Sequence, residues 1–427
     1  MKPTVLLATT CSYYPAARLV MALAEAGCIV DAVCPSGHPL RVTSAVRHVF
    51  DYRGLMPLRS FAAAIAAAHP DLVVSADDLA TEHLQEMHAR EQRKGNPGSE
   101  RCALIERSLG SAQSFSVVRE RGAFMDLAQR EGIRVPPTQV LENVDALRSW
   151  IARMGVPAVL KANGTSGGDG VKIARTPAEA ESAFAKLQSP PLLARAIKRA
   201  LLDHDQTLFW PSVRRHRHTV NVQAFVSGRE ATSTVFCWNG EVLAGLHFEV
   251  VNKASAAGHA TVMQLIEHEE MSSAVERMVR CLGLSGFCGF DFMIEAETGN
   301  AYLIEINPRA TQVGHLSFGP QRDLPAAVCG VLSDHVPQPA AEVTEKDTVA
   351  LFPQEWIRDP QSSFLQSAYH DVPWQESALI RHCVSNRAKQ SGWYARGNRQ
   401  QGRAAALAAA SIPVQRACRT KEREIVA

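Results

Sequence analysis

The sequence predicts an α/β protein of two to three domains, and three observations carry that prediction. The chain has 427 residues, more than one ordinary hydrophobic core accommodates. From Thr4 to about Asp78, short apolar runs alternate with helical stretches. Further on, strand-like segments flank first a glycine-rich loop and then an acidic hairpin.

In chain order, Val5–Ala8, Cys28–Val33 and Leu72–Val74 read as strands, with helices over Ala16–Ala26 and Leu58–Ala68 between them. That alternation is parallel α/β winding. Thr9–Pro15 follows the first strand where a GxGxxG would stand, so no dinucleotide is expected. Arg90–Ser99 is polar and reads as an exposed loop. A helix over Gly122–Arg130 leads to Gly132–Thr138, whose Pro136 and Pro137 mark a crossover into a new lobe. Strands follow at Ala158–Lys161 and Gly170–Ala174, then a helix over Ala178–Leu187. Beyond a basic stretch from Ala194 to His218, alternation returns in Val220–Val226, Ala231–Trp238 and Val242–His247. A helix over His268–Cys281 precedes the strands Gly289–Ile294 and Ala301–Ile306. Past Gly330, prolines and polar residues thicken, and Ala404–Ala410 reads as a short peripheral helix.

Composition narrows the function classes. With 46% hydrophobic and 21% charged residues the chain reads as soluble and globular. Its 45 Lys and Arg nearly cancel 43 Asp and Glu, so no global field attracts nucleic acid or an anionic membrane. The ten cysteines form no CxxC pair and no zinc-spaced set with histidine, which favours reduced thiols and a cytoplasmic location. The N-terminal apolar run is too short for a signal peptide, and Phe61–Ala68 and Ala404–Ala410 are far too short for a bilayer span.

Two stretches carry chemistry. Lys161 ends a strand, and Gly164, Gly167, Gly168 and Gly170 follow it. Such glycines let backbone N–H groups approach phosphate oxygens, and the lysine adds a mobile charge. No Gly-Lys-Ser/Thr ends the loop, so it is not a Walker motif. In the second stretch, Glu305 and Asn307 stand one residue apart on a strand and share a face. If Ala301–Ile306 pairs with Gly289–Ile294 through the Glu297–Asn300 turn, Asp291 joins them, giving a hard oxygen site suited to magnesium. Arg309 would then meet a transferred phosphoryl group or a developing oxyanion.

In this order and separation, the two stretches resemble the ATP-grasp superfamily over roughly half the chain, from about Arg119 to Leu316. The resemblance implies a Rossmann-like parallel α/β domain over 1–113 and an ATP-grasp domain over 114–331. The latter would divide into a small lobe, about 138–226, and a large lobe, about 227–331. A C-terminal extension over 332–427 has no assigned role. It further implies that Lys161 holds nucleotide phosphates under the Gly167–Gly168 loop, and that Asp291, Glu305 and Asn307 bind magnesium, with manganese as a substitute. Lys161 and Arg309 become the catalytic pair. Adenine would meet the hinge Val222–Glu230 through Gln223 and the backbone of Ala224 and Val226, with Glu230 on the ribose. Gln223 departs from the glutamate common there, and Arg121 departs from a lysine that reaches the phosphates; Arg119 competes for that role.

The implied reaction joins a carboxylate, activated as an acyl phosphate by ATP, to an amine. Small-molecule acids and amines are the expected partners, and a homo-oligomer is allowed. Alternatives are a bicarbonate-using carboxylase or carbamoyl-phosphate-type enzyme, and an ATP-binding module without chemistry. Asp77 or Asp78, at the end of a parallel strand, could touch substrate, although an acidic helix cap is the favoured role. His247 and Lys253 are candidate phosphate contacts. The run Arg214–His218, with Lys198 and Arg199, reads as a solvated insertion.

Overall fold

The computed structural model describes residues 2–164, 170–189, 218–255, 258–333 and 341–394. Three sheets organise them. The first is parallel, built from β1 (Thr4–Ala8), β2 (Ile29–Cys34), β3 (Val49–Asp51) and β4 (Leu72–Ser75) in the order β3-β2-β1-β4. β1 and β4 read as near-continuous apolar runs because both faces are covered, whereas β2 carries the buried Asp31, which pairs with Arg47. Val5, Leu7 and Val30 pack with the helix Pro15–Glu25 on one side. Leu6, Val33 and Val73 meet Phe61, Leu84 and Ile105, from three helices, on the other. The helix beginning at Asp78 runs to Arg93, further than the polar composition suggested. Arg90 and Arg93 both donate to Glu86 Oε1, at 2.8 and 2.9 Å, so the charged stretch forms a solvated helical face.

The second sheet is antiparallel: β5 (Thr138–Leu141), β6 (Ala158–Ala162), β7 (Val171–Ala174) and β8 (Val220–Ala224), in the order β5-β8-β6-β7. β6 and β7 form the expected hairpin around the glycine loop. Leu160 and Val222 bury one face against Leu147, Trp150 and Phe184 of two helices. Alternation therefore turns Lys161, Asn221 and Gln223 to the opposite face.

The third sheet runs β13-β12-β9-β10-β11-β14-β15. Its strands are β9 (Gly228–Trp238), β10 (Glu241–Lys253), β11 (Ala260–Ile266), β12 (Gly286–Glu295), β13 (Ala301–Asn307), β14 (Thr348–Ala350) and β15 (Tyr369–His370). On one face, Val235, Phe290 and Ile306 pack with Met271 and Met278 of the helix Glu269–Leu282 and with Phe124 of the helix Arg121–Arg130. On the other, Phe236, Leu246 and Phe248 share a core with Leu19, Leu23 and Val328, which joins this sheet to the N-terminal one. At the start of β9 the strands approach so closely that a Cβ on Gly228 would lie 2.0 Å from the Ile294 carbonyl oxygen, so glycine is required.

The region beyond 332 does not stand apart from this architecture, because β14 hydrogen-bonds to β11 and β15 to β14. Asp371, 1% exposed, receives Arg18 Nη2 at 2.5 Å and lies 2.6 Å from His315 Nε2. One buried carboxylate thus ties the first helix, the loop after β13 and the C-terminal segment together. Among the described residues no helix is long and apolar enough to cross a membrane.

Candidate active site

The β12–β13 pairing predicted from the Glu297–Asn300 turn is present, with Asp291 opposite Glu305 and Gly289 opposite Asn307. On the other side of β12, Asp291 faces Thr232 of β9. The Asp291 carboxylate accepts from Thr232 Oγ1 at 2.8 Å and from Asn307 Nδ2 at 2.9 Å. Register then slips from Asp291–Glu305 to Phe292–Leu303, leaving Ile304 as the extra residue of a β-bulge. The Ile304 carbonyl accepts from Lys161 Nζ at 3.3 Å, so the lysine of the second sheet reaches the strand that carries the acidic pair. Arg121, first residue of its helix, closes the cluster: Nη2 lies 2.5 Å from Glu305 Oε1, and Nη1 donates to the Ala162 carbonyl at 3.5 Å. Arg119 is exposed and directs its charge to Glu82, so Arg121 is the arginine that faces the acidic pair.

Burial sets the electrostatics. It pushes the Asp291 carboxyl up, and Glu305 across the strand pair pushes it further. Burial acts on Glu305 in the same direction, but Arg121, Lys161 and Arg309 outweigh it and hold that carboxyl below its ordinary range. Lys161, 4% exposed, is pushed down to about 8 by burial, against the pull of Glu305. Among the described residues no three His, Cys, Asp or Glu side chains form a metal cluster. The donor set is instead two carboxylates and an amide, which fits a hard divalent cation such as magnesium. Lys161 and Arg121 beside it suit phosphate oxygens.

Arg309 leaves β13 at the edge of this cluster. Its Nε donates to Asp78 Oδ1 at 2.9 Å, Nη2 to Asn307 Oδ1 at 3.1 Å and Nη1 to the Ala310 carbonyl at 3.3 Å. Burial disfavours its charge, yet Asp78 and its other neighbours more than offset that and keep it cationic. Asp77 is the helix cap: it accepts from Ala80 N at 2.9 Å and from both threonines after β1.

The remaining candidates divide. Gln223, 3% exposed, shares the Lys161 face, but its Nε2 donates to Thr138 Oγ1 at 3.1 Å. The Ala224 N–H donates to the Pro137 carbonyl at 2.9 Å, so of its backbone groups the carbonyl is the one left for an adenine edge. Val226 lies just beyond β8, half-buried, and Glu230 pairs with Lys253 Nζ at 2.6 Å. Glu230 and Lys253 line an open cleft of about 520 Å³ with Gly228, Arg229 and Asn252. His247 does not share the face of Asp291. It sits on the opposite face of the sheet, its ring nitrogens 2.6 Å from Ser233 Oγ and 2.8 Å from Ser272 Oγ, and burial pushes it down to about 4. Gly167, Gly168, Lys198, Arg199 and Arg214–Arg217 lie outside the described residues. Sequence reasoning missed Thr232, the Ile304 bulge and the Asp78–Arg309 pair; all three depend on which strands become neighbours.

Residues 120–316 match the family described as carbamoyl-phosphate synthase L chain, ATP binding domain. The carbamoyl phosphate synthase large chain of Thermus thermophilus is 24% identical over 212 residues, which cover 48% of this chain and 19% of that protein. The formate-dependent phosphoribosylglycinamide formyltransferase of Burkholderia lata is 23% identical over 279 residues, covering 64% of this chain and 61% of the relative. The chain therefore spans less than two thirds of either protein. Among solved structures, the biotin carboxylase domain of Hydrogenobacter thermophilus 2-oxoglutarate carboxylase, in complex with MgADP, ADP and bicarbonate, superposes with a TM-score of 0.54 at 14% identity. That superposition covers 80% of this chain and 71% of the other, and at this identity it establishes the fold alone.

Proposed function

Because this chain belongs to the ATP-grasp superfamily, we propose that it is a ligase that phosphorylates a small carboxylate with MgATP and joins it to an amine. One observation carries the reading: Lys161 of β6, Arg121 at a helix start, Asp291 of β12, and Glu305, Asn307 and Arg309 on and just after β13 converge on one partly buried cluster. Arg121, Lys161 and Arg309 compensate Glu305, while Asp291 accepts from the neutral donors Thr232 and Asn307, a setting that suits a divalent cation.

The phosphoryl step balances simply. A carboxylate oxygen forms a bond to the terminal phosphorus of ATP as the bond to ADP breaks. The amine then attacks the acyl carbon and expels phosphate, which carries off the proton the nitrogen loses, giving the amide. Lys161 and Arg121 bind phosphate oxygens; Arg309 meets charge developing on the transferred group. Magnesium, or manganese on the same oxygen donors, neutralises phosphate charge when bound by Asp291, Glu305 and Asn307. The cleft beside Glu230 takes the nucleoside, and Lys253 must yield its partner when the ribose enters. None of the nine described cysteines is paired in a disulfide, which supports a cytoplasmic setting.

A second reading keeps the site and changes the acid to bicarbonate, favoured by the bicarbonate in the Hydrogenobacter structure. ADP release from purified protein and MgATP, across pools of acids and amines, separates the two. Release that needs an organic acid and an amine supports the ligase; release with bicarbonate and no organic acid supports the carboxylase. The Glu305→Gln variant should be silent in either case, and turnover near wild type in that variant would remove the metal-site assignment.

A further inference from the structure

Arg309 belongs to the third sheet by sequence, but the N-terminal sheet holds it in place. Where Pro308–Ala310 leaves β13 it runs against the carboxyl end of β4. Ala310 N–H donates to the Ser75 carbonyl at 2.9 Å, and Thr81 Oγ1 donates to the Pro308 carbonyl at 2.9 Å. The backbone on both sides of the arginine is thereby fixed to one strand end and the helix that follows it. The side chain is fixed there too, through the 2.9 Å bond from Nε to Asp78 Oδ1.

Asp78 is itself rigidly placed. It opens the helix Asp78–Arg93 directly after the cap Asp77. Both Asp77 oxygens are engaged, by Thr9 Oγ1, Thr10 N and Thr10 Oγ1 from the loop after β1, and by Ala80 N. The Asp78 carboxylate thus projects from a clamped helix start toward an arginine whose side chain is 18% exposed. A guanidinium is a planar fork: a carboxylate on its Nε edge fixes the plane and so determines where the two Nη groups point. Asn307 holds the same plane from the other side, at Nη2.

We infer that Asp78 is a positioning residue that aims Arg309 at the transferred phosphoryl group, so that the N-terminal sheet completes the reaction centre of the third. The inference rests on the ligase reading of the site. It differs from a surface ion pair in its consequence: such a pair contributes little to stability, whereas misdirecting a reacting-group contact by about 1 Å costs on the order of 100-fold in rate.

The test uses the full chain with Asp78→Asn, Asp78→Glu, Arg309→Lys and the Asp78→Asn/Arg309→Lys double variant. Affinity for MgADP is measured with and without aluminium fluoride, a mimic of the phosphoryl group in flight, alongside kcat, KM for ATP and the thermal midpoint. Asp78→Asn should keep MgADP affinity within about 2-fold, lose the fluoride-dependent tightening and drop kcat by roughly 100-fold. Asp78→Glu should recover part of the loss, and the double variant should be no worse than Arg309→Lys alone. Fluoride tightening equal to wild type in Asp78→Asn, or rate losses that multiply in the double variant, would overturn the inference and leave the ligase reading intact. A wild-type protein that binds no nucleotide would overturn both.

Discussion

Lys161 gives the candidate site a pH dependence that can be worked out in advance. Burial lowers this lysine from the usual 10.5 to about 8, which corresponds to about 3 kcal/mol favouring the neutral amine. A bound triphosphate adds negative charge beside the lysine and restores the ammonium. Near pH 7 the lysine is protonated before and after binding, so affinity is flat through this group. Above pH 8 the free protein loses the proton and the complex keeps it. Binding must then take up a proton, and it weakens by about 10-fold by pH 9. Calorimetric titration of MgADP or MgATP between pH 7 and 9, in two buffers of different ionisation heat, reads the uptake directly; about half a proton is expected at pH 8. Arginine stays charged throughout, so Lys161→Arg should flatten the profile. A wild-type titration without proton uptake near pH 8, or an unchanged slope in Lys161→Arg, would show that Lys161 does not gain a proton when nucleotide binds.

Two further predictions address the support of the site. Burial opposes ionisation of Asp371, but His315 and Arg18 outweigh it and hold the carboxyl at about 2, below the usual 3.8. Its stabilisation is therefore complete above pH 4 and fades as pH falls toward 2; Asp371→Asn should cost about 2–3 kcal/mol at pH 7. Urea unfolding at pH 7 and pH 3 should show that gap narrowing by roughly half at the lower pH, and a gap independent of pH would contradict the assignment. Thr232→Val removes the hydroxyl that donates to Asp291 at 2.8 Å. Manganese binding in the presence of ADP, followed by electron paramagnetic resonance, should weaken on the order of 10-fold, and unchanged binding would show that Asp291 needs no support from β9.

Much of this site is local in sequence, and that part was legible. The period of a strand alone puts Glu305 and Asn307 on one face, and a tight turn alone brings Asp291 opposite. Lys161 at a strand end and Arg121 at a helix start were likewise visible from neighbouring residues. Non-local facts were not. β9 lies between β12 and β10, an order no sequence interval dictates, and Thr232 gains its meaning only there. His247 has the right strand but the wrong face, because strand parity had no fixed origin until its neighbours were known. Asp78 reads as an acidic first turn of a helix, and its pairing with Arg309 spans 231 positions. β14 and β15, at three and two residues, are too short for alternation to mark them.

In the proposed reaction a carboxylate oxygen takes the terminal phosphoryl group of ATP. An acid labelled with oxygen-18 in its carboxylate tests this most directly, once ADP release has identified an acid that the protein accepts. One labelled oxygen is expected in each phosphate released, with the label absent from ADP and transfer lost in Glu305→Gln. Phosphate released at the same rate without label would contradict it, because the phosphoryl group would then have passed to water.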